Sequence, residues 1–141
     1  MRLLLPLLAG MSLLTSCDFS YTLVINNSTG QTQHIKYIRP RHNQYPIDDT
    51  VKTWADTTAK YPPEGALYTG IPIGKDITEN SFSLSLDNGR SAMLEWGINS
   101  SINPDAKVIV NGTDTIDLRN DKRVELVKPR MGGYSAFISL K

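Results

Sequence analysis

Beyond residue 20 the chain alternates apolar and polar positions with a period of two, the spacing of a strand with one face buried. Residues 21 to 25, Tyr-Thr-Leu-Val-Ile, are aromatic and β-branched, and the turn formers Asn26-Asn27-Ser28-Thr29-Gly30 follow. Ile35 and Tyr37 then alternate against His34 and Lys36. The two runs predict a hairpin with a five-residue loop. Residues 81 to 96 carry the clearest pattern: Phe82, Leu84 and Leu86 alternate with serines, Asp87-Asn88-Gly89 turns, and Ala92, Leu94 and Trp96 alternate with Ser91, Met93 and Glu95. A two-residue loop here would pair Phe82 with Glu95 and put a carboxylate on the apolar face. A three-residue loop with a left-handed Gly89 pairs Leu84 with Ala92 and Phe82 with Leu94, so this second hairpin is predicted with a bulge at Gly89. Residues 107 to 118 form a tighter hairpin about Asn111-Gly112, whose apolar pattern leaves the register open. Residues 123 to 128 make one more short strand, and residues 134 to 140 close the chain with Tyr134, Ala136, Ile138 and Leu140 on one face.

Between residues 39 and 65 the alternation breaks, with Pro40, Pro46, Pro62 and Pro63 at the joints. Ile47, Val51, Trp54, Ala55 and Thr58 fall on one helical face, which predicts a short helix in the 47–60 region, capped by Asp48 or Asp49. The threonines at 50, 53 and 57 count against it. Strand character returns over residues 66 to 73, and Pro72 marks an edge. The chain is therefore expected to be all-β: an antiparallel β-sandwich, immunoglobulin-like or transthyretin-like, of about seven to nine strands plus that helix.

The first sixteen residues follow a different rule. Arg2 precedes an apolar run over residues 3 to 14, too short for the ~20 residues that span a bilayer. It is the pattern of a signal peptide. Leu14-Thr15-Ser16-Cys17 ends it, and Cys17 is the only cysteine of the 141 residues. These four residues resemble the lipobox of bacterial lipoproteins. The resemblance implies a signal peptide over residues 1–16, cleavage before Cys17 and a diacylglycerol on its thiol; the 141 − 16 = 125 residues that remain are the length of one ordinary domain, over residues 17–141. The resemblance also implies a membrane partner, reached through the lipid. No disulfide is then available, so stability must come from the core. With Arg2 set aside, 14 basic side chains face 14 acidic ones, scattered. This gives no basic stripe for nucleic acid and no polybasic patch for anionic lipid.

The lipobox, the Val24-Ile25-Asn26-Asn27-Ser28-Thr29-Gly30 run and the 82–93 pattern with its Asp-Asn-Gly turn together resemble small lipoproteins common in Bacteroidetes. That resemblance implies a β-sandwich of the cell envelope and no reaction. Surface-exported members tend to carry an acidic run after the lipid cysteine, whereas here Asp18 alone precedes Phe19, which favours the periplasmic leaflet of the outer membrane. Under the enterobacterial rule Asp18 would instead mean inner-membrane retention. The resemblance further implies O-glycosylation at Asp-Ser/Thr-apolar or Asp-Thr-Thr sites, of which the chain has three, at Thr50, Thr57 and Thr115.

Candidate chemistry is sparse. His34 and His42 are joined by no third ligand with metal-site spacing. The serines have no nucleophile-elbow motif and fit an outward strand face. Asp114, Asp117 and Asp121 do not follow the calcium-loop spacing. No metal, cofactor or catalytic constellation is therefore expected. Tyr45, Trp54, Tyr61 and Tyr68 lie in or beside the long excursion, either as a plug closing the sandwich or as a face that binds a partner or a glycan. The expected role is non-catalytic: a structural or accessory module holding an envelope protein through residues 39 to 68 or through a strand edge, with a glycan-binding module as the alternative.

Overall fold

The computed structural model describes residues 20–40, 46–58, 67–98, 102–128 and 135–141. Cys17 and the segment before it, His42, Tyr45, Tyr61 and Tyr134 lie outside the described residues. Strand β1 (Ser20–Asn27) sits between two neighbours, pairing in parallel with β11 (Ser135–Leu140) and antiparallel with β7 (Arg90–Ile98). β10 (Val124–Val127) extends this sheet beyond β11. On the other side β3 (Thr50–Trp54) and β4 (Thr69–Pro72) extend it beyond β7. The second sheet runs β5 (Gly74–Asp76), β6 (Ser81–Leu86), β2 (Gln33–Ile38), β8 (Lys107–Val110), β9 (Asp114–Asp117). The protein is an all-β sandwich of eleven strands among the described residues, mostly antiparallel and without a helix.

The core lies between the sheets, as the alternation requires. Leu23, Ile25, Ala92, Leu94, Ala136, Ile138 and Leu140 face Ile35, Tyr37, Phe82, Leu84, Leu86, Val108, Val110 and Ile116. Ala136, Ile138 and Leu140 share one face, as expected from the sequence. The edge position of Pro72 is also as expected, since β4 ends its sheet.

Four expectations are corrected. The region assigned to a helix is strand β3 with its flanks. Val51 packs in the core while Trp54 lies in a separate cluster with Val24 and Phe137, and Ala55 and Thr58 are exposed, so the residues spaced as one helical face do not share a face. Second, residues 21–25 and 33–38 do not form a hairpin, because β1 and β2 belong to different sheets. Third, β6 and β7 likewise cross from one sheet to the other, so Leu84 and Ala92 meet across the core instead of side by side. One-sided alternation is satisfied equally by strands paired edge to edge and by strands stacked face to face. Gly89 does adopt the left-handed conformation, φ 76°, but its N–H donates to Asn27 O (2.8 Å) and closes an arch between sheets. Fourth, Ser81 is buried, and only Ser83 and Ser85 of the three serines face solvent.

The 107–118 hairpin forms as expected, and the structure settles its register, with Val108 opposite Ile116 and Val110 opposite Asp114. Asn111 (φ 52°) and Gly112 (φ 75°) both take the left-handed region that a tight turn of this twist demands.

Amide side chains, Asn27 and Gln33 buried and Asn111 exposed, tie together the end of the sandwich that holds the arches. Asn27, fully buried, donates Nδ2 to Gln31 O and to Leu86 O (both 2.8 Å) and accepts from Thr29 N and Oγ1. Asn111 donates to Gln33 Oε1 and accepts from His34 N, which carries the network to the β8–β9 turn.

Candidate functional site

At the opposite end, where β1 begins, the ladder between β1 and β7 slips by one residue. Leu23 pairs with Glu95 and Val24 with Met93, which leaves Leu94 as an extra residue. A bulge of this kind re-aims side chains. Leu94 and Glu95 both turn to the inner side and Trp96 turns outward, 58% exposed, where simple alternation would have placed it with Leu94. Glu95 then meets two phenols. Tyr21 donates to Oε1 (2.8 Å), and Tyr37, from the other sheet, donates to Oε2. Gly97 is what admits the first of them, because a Cβ there would overlap the Tyr21 ring. Burial, reinforced by the Glu95 charge and hydrogen bond, pushes the Tyr37 phenol far above its ordinary range, so it stays a donor. Tyr37 is fully buried, which makes this cluster a clamp between sheets instead of a site open to a substrate.

The expected histidine and serine positions lie on the outer face of the second sheet. His34, Lys36, Ser83, Ser85 and Ile109 line a shallow, open depression of about 400 Å³. His34 Nδ1 lies 3.0 Å from Ser85 Oγ, its cross-strand partner. No carboxylate among the described residues orients the imidazole, and both side chains are exposed, so the pair lacks the buried, positioned base that activates a serine. Among the described residues no group of three or more His, Cys, Asp or Glu side chains is placed to hold a metal ion. The aspartates considered for calcium are committed elsewhere. Arg123 binds Asp114 through both terminal nitrogens and Asp121 through Nε (2.9 Å) and Nη2 (2.6 Å), while Asp117 accepts from Arg119 N and Asn120. Asp49, considered as a helix cap, pairs with Lys75 (2.5 Å).

Of the four excursion aromatics, Trp54 and Tyr68 are described. They meet edge to face at 6.4 Å, and Lys52 Nζ lies 5.6 Å over the Tyr68 ring. Trp54 is 2% exposed and packs with Val24 and Phe137 on the outer side of the first sheet, flanked by Met93 and Val127. Its buried indole N–H has no acceptor among the described residues. Tyr68 is 46% exposed. Of the proposed glycan acceptors, Thr50 and Thr115 are exposed and Thr57 is half-buried.

The strand edges were named in the sequence only as a general possibility, and the structure separates them. β4 carries Pro72, β5 is three residues long with Lys75 and Asp76, and β9 is bounded by Asp114 and Asp117. These are the ordinary devices that blunt an edge. β10, Val-Glu-Leu-Val, is as short as β4 and β9 but carries no proline and only one charge, Glu125. Ser139 N donates to Arg123 O (3.0 Å), which sets alternate β10 residues towards β11 and directs the N–H and C=O of Leu126 the other way, at an edge that no strand among the described residues covers. The Leu126 side chain is 51% exposed.

Comparison with protein families, with curated proteins and with solved structures finds no match to this chain.

Proposed function

We propose that this protein is a non-catalytic, lipid-anchored module of a bacterial envelope, held by Cys17 on the periplasmic face of the outer membrane, which receives an extended segment of an envelope protein along β10. The observation that carries the binding step is the unblunted β10 edge, with the backbone of Leu126 directed outward beside a half-exposed apolar side chain. An added strand supplies main-chain hydrogen bonds, and the Leu126 side chain supplies selectivity. The test is a photo-crosslinking residue at Leu126 in native cells. One envelope protein should be attached there, not at Thr115 on the blunted β9 edge. A Leu126→Pro variant, crosslinked through Glu125, should lose the adduct, because proline removes the outward N–H without touching the ladder to β11. Equal labelling at Leu126 and Thr115, or an adduct that survives Leu126→Pro, defeats the reading.

One observation favours glycan binding as the second reading: the unpartnered indole N–H of Trp54 beside the half-exposed ring of Tyr68. Trp54→Phe keeps an aromatic ring but deletes the donor. Affinity for a polysaccharide that is unchanged by both this substitution and Tyr68→Ala removes the second reading.

A further inference from the structure

We infer that the end of the sandwich where β1 begins rests on the bilayer, with Trp96 and Ile77 entering its interfacial layer; the inference builds on the lipid anchor at Cys17. The occupant follows from the length of chain between anchor and fold. Ser20 opens β1 three residues after Cys17, and three residues span ~10 Å at full extension. The polar layer on one side of a bilayer is only ~5–8 Å thick. Whatever lies beside Ser20 therefore lies at the headgroups.

Trp96 and Ile77 are exposed apolar side chains at that end. Trp96 stands opposite Thr22 in the ladder, two residues from Ser20, and faces away from the core. Ile77, 88% exposed, sits in the β5–β6 turn of the other sheet, next to Asn80, whose side chain accepts from Arg39 (2.8 Å). The Tyr21–Glu95–Tyr37 clamp fixes this end of one sheet against the same end of the other. Trp96 is therefore carried on a braced strand, and its ring, apolar with one N–H, suits the interface. Charges of both signs lie near this end, among them the ion pairs Lys36–Glu79, Lys75–Asp49 and Arg119–Asp105, with no excess of basic side chains. Contact should not depend on anionic lipid. Leu67, 93% exposed, precedes β4 at the far end, which puts it in water and makes it the control.

The test uses the lipidated protein in phosphatidylcholine vesicles, nitroxide-labelled through Ile77→Cys or Leu67→Cys, since the Cys17 thiol is occupied by lipid. Relaxation by oxygen should exceed relaxation by a water-soluble nickel chelate at position 77, and the order should reverse at position 67. In a Trp54→Phe background, Trp96 emission should fall at least twofold in vesicles brominated at the upper acyl positions. Aqueous behaviour at both labelled positions overturns the inference, as does unquenched Trp96. Intact mass of the same sample separates the two failures. An acylated Cys17 with no contact leaves the anchor standing and removes the orientation; an unacylated Cys17 removes both.

Discussion

Glu95 is a carboxylate turned towards a sandwich interior, and it is tolerated because donors from both sheets reach it. A half-buried carboxylate needs hydrogen bonds to offset the hydration it has lost. Tyr21 supplies one along the ladder side and Tyr37 the other from across the core. Because the Tyr37 phenol is held far above its ordinary range, first by burial and then by Glu95 itself, it remains a donor at every pH at which the protein would be handled. Tyr37→Phe keeps the ring and its edge contact with Phe82 (5.5 Å) but leaves one carboxylate oxygen without that phenol. We expect a loss of roughly 1.5–3 kcal/mol, the range for a hydrogen bond to a charged group. Glu95→Gln should cost less, since the amide can still accept from one phenol and donate to the other. The readout is the urea midpoint at unchanged slope. A midpoint unmoved by Tyr37→Phe would mean that the clamp contributes nothing to stability.

Between elements, Arg123 joins the edge of one sheet to the turn that leads into the other, binding Asp114 at the start of β9 and Asp121 just before β10. Its hydrogen bonds hold both carboxyls below their usual range. Depressed carboxylates make the unfolded state the stronger proton binder in acid, so the stability they confer is present above the ordinary carboxylate pKa, about 4, and is lost as pH falls through the lower folded values. Arg123→Met should therefore be less stable than the parent at pH 7, and the difference should shrink as pH drops from about 5 to about 2. Parallel stability-versus-pH curves for the two proteins would contradict this. The same scale shows what the sequence made legible. Alternation located most of the strands, because inward and outward residues differ in hydropathy wherever one face is buried, and Pro72 marked an edge because proline has no N–H to donate to a ladder. It could not choose between hairpin and arch at residues 87–89, since both put Leu84 near Ala92. The outer-face cluster escaped a one-sided reading, although the unbroken Leu23-Val24-Ile25 and Ala136-Phe137-Ile138 runs are the signature of strands buried on both faces. The bulge escaped because Glu95 was treated as excluded from the apolar face, and the two tyrosines that make it acceptable there lie 74 and 58 residues away along the chain.

At the scale of the whole molecule, the first sheet is buried on both sides near its centre, and its outer cluster shares no side chain with the main core. Val24, Trp54 and Phe137 are each at most 2% exposed, and burying a large apolar side chain is worth roughly 1.5–3 kcal/mol. That is enough to matter against the 5–15 kcal/mol of an ordinary domain, so the cluster either unfolds with the sandwich or opens before it. The backbone argues for the first outcome. Val24 and Phe137 lie on the central pair β1 and β11, between Leu23 and Ile25 and between Ala136 and Ile138, and these strands cannot leave without dismantling the core. Trp54, at the end of β3, is held by strand pairing to Ser91, whose single hydroxyl proton lies within reach of both Asn26 Oδ1 (2.7 Å) and Asp56 O. Trp96→Phe alters only an exposed site and leaves Trp54 as the sole tryptophan reporting on the outer face. Its fluorescence should then follow the same urea transition as the far-ultraviolet circular dichroism of the sheets, with one midpoint and one slope. A tryptophan transition at lower urea would show that β3 and the outer cluster open as a separate unit, and would make that face, with its unpartnered indole N–H, the part of the molecule most easily exposed to a ligand.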